Sequence, residues 1–497
     1  MVREFMLSFI ENSKSFKGRI VFLYLFLISL FIRFPFFFRD YIDRDESTFI
    51  LVAQSWVNGN LPYLELWDVK PPLTFLFFAT IISIFGKSLF AIRLAGSLLI
   101  TITAFFTYKI GRKVSTNQVA FYSSIACVAL QSMFGSIQGV MSEHICMAFL
   151  LPALYIIITR KNWYWLGFAG LLMGISIMVK LNMAYTILFV GLYLIYFFIE
   201  KKEYTSGLKG VVAYGTGIIL IVIFTWLPYY FQNLHELWWK SVFIAPLDYA
   251  GARRYPILKI IPMFLVVGTF FFFAWKKKLL EFKNPAIQIL IIAILGVLYS
   301  FIKGGRINSH YLIQLYPLLL ILASIVLREI NLINKIKVPV GYLAFLLLLP
   351  IESYLEYYNI AKNKIEKGTL YNGEGFSVPT YIQKNNLETN NILFLGYHIG
   401  YWLLDKNPPT KAATHPSNLC KDEMFFAYDN PRKTSLEELR FIMEELRPKT
   451  IVVRQGKRIF DKKERVENKY MDAYLSKYYA VHAVIEKAEI LQRLEGL

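Results

Sequence analysis

The chain has 497 residues, of which 56% are hydrophobic, 17% aromatic and only 18% charged, a composition that excludes an ordinary soluble globular protein of this length. The net charge of +19 would suit nucleic acid, but the basic residues fall in short clusters between apolar runs. That pattern excludes a nucleic-acid face and points to cytoplasmic loops and anionic lipid. Cys127 and Cys146 lie in apolar runs and Cys420 in a polar region, so there is neither a disulfide framework nor a CxxC metal knuckle.

The first apolar run, 20–38, follows Lys14, Lys17 and Arg19 and has no small-residue cleavage site, so it reads as an uncleaved first span. A window of about 19 residues gives further runs at 89–110, 118–137, 144–159, 163–179, 184–199, 211–230, 257–274, 285–302, 311–327 and 338–351. These predict about eleven transmembrane helices. With the N-terminus cytoplasmic, alternation also places Arg112 and Lys113, Arg160 and Lys161, Lys201 and Lys202, Lys276 to Lys278, and Lys335 and Lys337 inside. Counting the short apolar stretch 71–86 as a span would put the later clusters outside. It is therefore expected to lie at the outer interface.

The same alternation leaves the loop 39–87, the loop 232–256 and everything after about 351 outside. The expected organisation is an all-α membrane domain over 1–351 and a small extracytoplasmic α/β domain over 352–497. In the latter, 391–396 and 450–454 read as short buried strands, and 435–446 as a helix capped by Ser435 with Glu437 and Glu438 in its first turn. No long repeat or low-complexity tract is visible.

The loop after the first run carries Asp43, Asp45 and Glu46, followed by Phe49, Ile50, Ala53, Trp56 and Val57 at helical spacing. An amphipathic helix there would lie flat and hold the acids at headgroup depth, where a carboxylate can deprotonate an acceptor hydroxyl. An ordinary acidic helix start gives the same pattern. Lys70 precedes Pro71 and Pro72, a cation before a rigid turn suited to a phosphate at the surface, or a snorkelling lysine. Lys303, Arg306 and His310 sit in a short outer loop with Gly304 and Gly305, where positive charge asks for an anionic partner; a helix-capping turn is the plainer alternative. Glu143 stands at an outer helix boundary as a second acid, a metal ligand with His144 or a helix cap, and Lys180 ends another run. Glu143 and His144 are adjacent and do not face the same way on a helix, so no clear metal site emerges.

The ordered set Asp45-Glu46, Gly59-x-x-Pro62-Tyr63, Lys70-Pro71-Pro72-Leu73 and Arg306-x-x-x-His310-Tyr311 resembles the GT-C superfamily of membrane glycosyltransferases. Within it, the set is most similar to the branch of the dolichyl-phosphate-mannose protein mannosyltransferases and the lipid A aminoarabinose transferase, over residues 20–350. The resemblance implies inverting transfer of a sugar from a polyprenyl-phosphate carrier to a lipid, glycan or protein acceptor at the outer face. Asp45 takes the catalytic carboxylate's position, with Glu46 supporting. Lys70 takes that of the lysine contacting donor phosphate, with Arg306 and His310 as further phosphate-binding candidates and Glu143 and Lys303 as supporting ones. Asp43 offers a second acid two residues away. Val69 stands where the aminoarabinose transferase has glutamate, with Asp68 as its candidate replacement.

No cofactor is expected to be required, and metal dependence is left open. The setting expected is a bacterial inner membrane with the C-terminal domain periplasmic. The competing class is a polytopic polymerase or ligase of lipid-linked glycans, or a transporter. A transporter would place its ionisable residues at mid-membrane rather than at span boundaries.

Overall fold

The computed structural model describes residues 17–40, 44–133, 135–252, 256–305, 307–330, 341, 345 and 348–494. It is predominantly helical, with one small sheet near the C-terminus. Six described helices are long and apolar enough to cross a membrane: Gly18–Phe38 (with its short continuation in 3-10 form), Leu89–Val114, Ser142–Thr159, Met183–Glu200, Tyr204–Phe231 and Pro285–Gly304. The protein is thus a multi-pass membrane protein.

The expected run 118–137 is broken: the helix Asn117–Leu130 stops where Gln131 and Ser132 turn, and a 3-10 turn Gly135–Gln138 follows. Prolines in the first turn mark the starts of two other helices, so Ile261–Lys276 and Tyr316–Glu329 begin later than the corresponding apolar runs. The run 338–351 falls mostly outside the described residues. Helices of 14 residues, such as Asn117–Leu130 and Pro72–Phe85, are only about 21 Å long at 1.5 Å per residue. Length therefore does not decide between spanning and interfacial for either; among the described residues six spans are supported by length and composition, and the expected count of eleven is not established.

The chain divides by packing into two compact units. The first is made of Met1–Pro35, Arg93–Thr225 and Arg253–Leu355, and the second of Phe36–Ile92, Trp226–Ala252 and Glu356–Leu497.

In the first unit, Ser142–Thr159 packs on Trp163–Val179, Met183–Glu200 on Pro285–Gly304, and Asn117–Leu130 on both Gly18–Arg33 and Tyr316–Glu329. A Cβ on Gly296 would lie 2.5 Å from the Thr186 Cα. That contact explains a glycine inside an apolar helix, because with lipid as solvent the close backbone approach that small residues allow is one of the main sources of helix association. Arg33, fully buried, donates to the carbonyls of Ile137, Gln138 and Gly139 at 2.7, 2.6 and 3.0 Å, so the turn after the broken helix has its carbonyls satisfied by a charged donor.

In the second unit, the helix Arg44–Val57 packs against Pro72–Phe85, with Phe49 against the rings of Phe75 and Phe78. It also contacts the short helix Ile399–Leu403. Its residues from Glu46 to Ala53 are all buried, so Phe49, Ile50 and Ala53 of the expected amphipathic stripe are covered by protein, while Trp56 is half-buried and Val57 exposed. The C-terminal sheet has strands β1 (Leu393–Phe394), β2 (Thr450–Arg454), β3 (Tyr479–Ile485) and β4 (Ala488–Arg493) in the order β1-β2-β4-β3. β1 runs parallel to β2, and β4 antiparallel to both β2 and β3.

The two expected strands are present. The hairpin β3-β4 was not anticipated, because β3 is largely exposed and lacks an apolar alternation. The expected cap also shifts by one residue. Thr434, not Ser435, accepts from the Glu437 amide, while the Ser435 amide donates to Asp422 Oδ1 at 2.7 Å. The helix Ser435–Arg440 then widens into a π turn over Phe441–Leu446.

Candidate functional site

Two polar clusters hold the residues singled out from sequence, one in each unit. Asp43 and Arg306 lie outside the described residues.

In the second unit, the first turn of Arg44–Val57 presents Asp45. Lys70 Nζ reaches Asp45 Oδ2 at 3.3 Å, and both side chains are partly exposed, 18% for the lysine and 27% for the aspartate. Lys70 also rests over the Phe49 ring, 5.5 Å from its centroid.

The segment between the two residues explains why they meet. Gly59 ends the first helix at φ 104°, a conformation side chains resist. Tyr63, at φ 75°, turns the chain back and places its hydroxyl 2.6 Å from the Lys70 carbonyl. Burial, with Tyr229 and Asp68 nearby, pushes the Tyr63 phenol well above its usual range, so it stays a donor. Pro71 and Pro72 then start the next helix. The spaced Gly59, Pro62 and Tyr63 are thus the hinge that aims Lys70 at Asp45.

The other carboxylate oxygen, Asp45 Oδ1, faces His415 Nε2 at 3.6 Å. His415 Nδ1 accepts from the Ser417 amide at 3.1 Å. In the neutral ring the proton therefore sits on Nε2, turned toward Asp45. Burial pushes the His415 pKa below its ordinary value against the pull of Asp45, so the ring is uncharged at neutral pH. Behind it stands His398, whose ring centroid is 5.7 Å from that of His415. The Thr48 hydroxyl donates to the Arg44 carbonyl at 3.1 Å, which leaves its oxygen to accept from His398 Nε2 at 2.9 Å. His398 is also held well below its ordinary pKa by burial first and His415 second.

Glu46 is buried at 1% exposure and Asp68 at 6%, the latter close enough to His415 and Tyr63 to act on both electrostatically. Trp67 fastens this wall, its indole N–H donating to Ser241 Oγ at 2.9 Å and its ring meeting Tyr428 edge-on at 4.9 Å.

In the first unit, Glu143 is buried and Lys180 nearly so. Lys180 Nζ lies 2.5 Å from Glu143 Oε1 and 4.5 Å from the Tyr311 ring centroid. His310 Nε2 stands 3.7 Å from the same Glu143 oxygen. His144 instead accepts from the Met141 amide at 3.2 Å, so Glu143 and His144 part as adjacent helix residues must. Lys303 is exposed, over the Tyr299 ring at 5.7 Å. Among the described residues there is no group of three or more His, Cys, Asp and Glu suited to a metal ion.

His415 and His398 were not singled out from sequence. The chain has only six histidines, and their rarity in a basic membrane protein is the one signal pointing to them, since no spacing links either to Asp45.

The two buried neutral histidines make stability depend on acid. As pH falls below about 6.5, the unfolded chain takes up protons that the folded one refuses, so stability is present above that pH and is lost toward the lower folded pKa values, by about 1 kcal/mol per pH unit for each ring. Thermal unfolding between pH 7.5 and 5 should show this fall, and the double variant His398→Gln, His415→Gln should flatten it. An unchanged slope would assign the acid sensitivity elsewhere.

Residues 69–229, which include Lys70, Glu143 and Lys180 but not Asp45, match the family model of dolichyl-phosphate-mannose-protein mannosyltransferase. The fold is similar to that of ArnT from Cupriavidus metallidurans. The similarity has a TM-score of 0.61 to its apo state and 0.58 to its complex with undecaprenyl phosphate, at 15% identity, covering 96% of this chain and 97% and 98% of the respective ArnT chains. No curated protein matches the chain. The chain therefore has the fold of the GT-C superfamily of membrane glycosyltransferases. The relatives it resembles are the protein mannosyltransferases and ArnT.

Proposed function

We propose that the protein transfers a sugar, with inversion, from a polyprenyl-phosphate carrier to a hydroxyl or phosphate of a lipid, glycan or protein acceptor at the outer face of a bacterial inner membrane. The observation that carries this reading is the pairing of Asp45 with Lys70 at 3.3 Å, partly open to solvent. A carrier phosphate competes with Asp45 for Lys70. Its arrival takes the lysine as counter-ion and frees the carboxylate to act as base.

The acceptor oxygen then gives its proton to Asp45 and bonds to the sugar's anomeric carbon, and the bond from that carbon to the phosphate oxygen breaks. Polyprenyl phosphate leaves with the electron pair, and Lys70 offsets its growing charge. One base suffices because the leaving group is already good, and a single displacement inverts the centre. His415, pointing its N–H at Asp45 Oδ1, holds the carboxylate's orientation. The ArnT complex with undecaprenyl phosphate supports a polyprenyl-phosphate donor. The orientation, with the N-terminus cytoplasmic and residues 352–497 outside, rests on the five basic clusters. Glu143, Lys180 and His310 form a second charged cluster, to which the reading gives a supporting role.

The test is release of polyprenyl phosphate and transfer of labelled sugar by the purified protein. Lys70→Ala should lower kcat/KM for the donor by about 10- to 150-fold, the loss of one charge-assisted contact. If that variant works as well as the wild type, the phosphate role of Lys70 is wrong. If no form consumes the donor, the polymerase or transporter class takes its place.

A further inference from the structure

Close to Asp45, in the same unit, a polar cluster takes no part in the reaction just described. His415 opens the 3-10 turn Pro416–Cys420, and Lys421 closes it. Lys421 is 9% exposed and Asn418 fully buried. Lys421 Nζ donates to Asn418 Oδ1 at 2.8 Å and lies over the face of Tyr249, 4.9 Å from the ring centroid.

Among the described residues no carboxylate comes within 4.0 Å of this ammonium, in contrast to Lys70 and Lys180, which each have one. A lysine can only donate, so it fixes the amide with Oδ1 toward it and Nδ2 turned away. That Nδ2 is buried and has no hydrogen-bond partner among the described residues. A buried ammonium without a counter-ion and a buried amide N–H without an acceptor are each unfavourable. One anion accepting from both would remove both penalties, because Oδ1 and Nδ2 share a carbon and Nδ2 therefore stays near the ammonium even while Oδ1 faces it. The Asn418 backbone amide donates to the His415 carbonyl at 2.8 Å, and His415 Nε2 stands 3.6 Å from Asp45 Oδ1, which places the pair beside the Asp45 site.

We propose that Lys421 and Asn418 form a phosphate subsite next to Asp45, separate from Lys70. An ammonium acting as a point charge with a neighbouring amide donor suits a phosphate oxygen pair, and the Tyr249 face shields the charge from water. The proposal rests on the transferase reading only for where the phosphate comes from, either the carrier lipid or an acceptor and free phosphate. Binding itself is independent of turnover.

Inorganic phosphate added to the purified full chain in detergent should raise its unfolding temperature by about 2 °C or more at saturation, relative to sodium chloride of equal ionic strength. Lys421→Met should lose the rise and Lys70→Ala should keep it. Asn418→Asp supplies a counter-ion of the same shape, and should unfold at a higher temperature without phosphate while no longer responding to it. This variant keeps the test open should Lys421→Met fail to fold. No response in the wild type, or a full response in Lys421→Met or Asn418→Asp, overturns the subsite.

Repeating the titration with polyprenyl monophosphate separates the sources. A response lost in Lys421→Met assigns the subsite to the carrier, and one lost only in Lys70→Ala assigns it to an acceptor's phosphate or free phosphate. A chain that binds phosphate here yet transfers no sugar would sink the transferase reading alone.

Discussion

Asp45→Asn is expected to lower sugar transfer by about 100- to 10 000-fold, the range over which a positioned general base acts, while leaving the protein folded. The amide keeps the volume and one acceptor oxygen, and Asp45 is 27% exposed, so the substitution strands no buried charge. Besides the ion pair with Lys70, it removes what asparagine cannot supply in the reaction, taking a proton. The expected signature is a fall in kcat with little change in the donor's KM, because the carboxylate acts on the acceptor. His415→Gln should give a smaller fall, together with an altered pH profile of kcat/KM, since the ring orients the base without taking the proton. Full activity in Asp45→Asn would move the base to Asp43 or Glu46. Glu46, at 1% exposure, is closed off from solvent.

The second large effect belongs to the first unit. Lys180 and Glu143 meet at 2.5 Å with side chains 8% and 1% exposed. Lys180→Met should lower stability by about 3–5 kcal/mol, because a buried carboxylate then loses its main counter-ion and His310, 3.7 Å away, replaces it only by taking a proton. Glu143→Gln should be milder, since the freed ammonium still faces the Tyr311 ring at 4.5 Å. The double variant should recover part of the loss, with a coupling of about 0.5–3 kcal/mol. Thermal or denaturant unfolding in detergent measures all three. Strict additivity would show that the two charges are not coupled.

Much of the site was legible because its elements are local. The acid at a helix start and the lysine before two prolines carry their own signals, and Gly59 and Tyr63 between them occupy left-handed backbone that a short returning loop requires. What sequence could not supply was the third partner. His415 lies in a run of 3-10 turns without periodicity, and its closeness to Asp45 depends on long-range packing.

For the same reason, Arg44–Val57 read as a surface helix from its spacing. Its polar residues Thr48 and Ser55 are in fact buried, Thr48 against His398 and Ser55 bonded to Glu65. The apolar runs predicted the helices well. They could not reveal breaks that depend on a pair of polar residues, as at Gln131 and Ser132.

The second unit's assembly from three separated stretches has a consequence for timing. Thr48 and His398 touch across 350 positions of chain. At roughly 5–20 residues per second, the helix that carries Asp45 is made about 20–70 s before the segment that covers it. Until then the acid has no oriented histidine, and its helix has the cover of Pro72–Phe85 but not that of Ile399–Leu403. The Asp45–His415 pair can therefore form only after the segment bearing His415 has been made, so Asp45 gains its orienting partner late in synthesis.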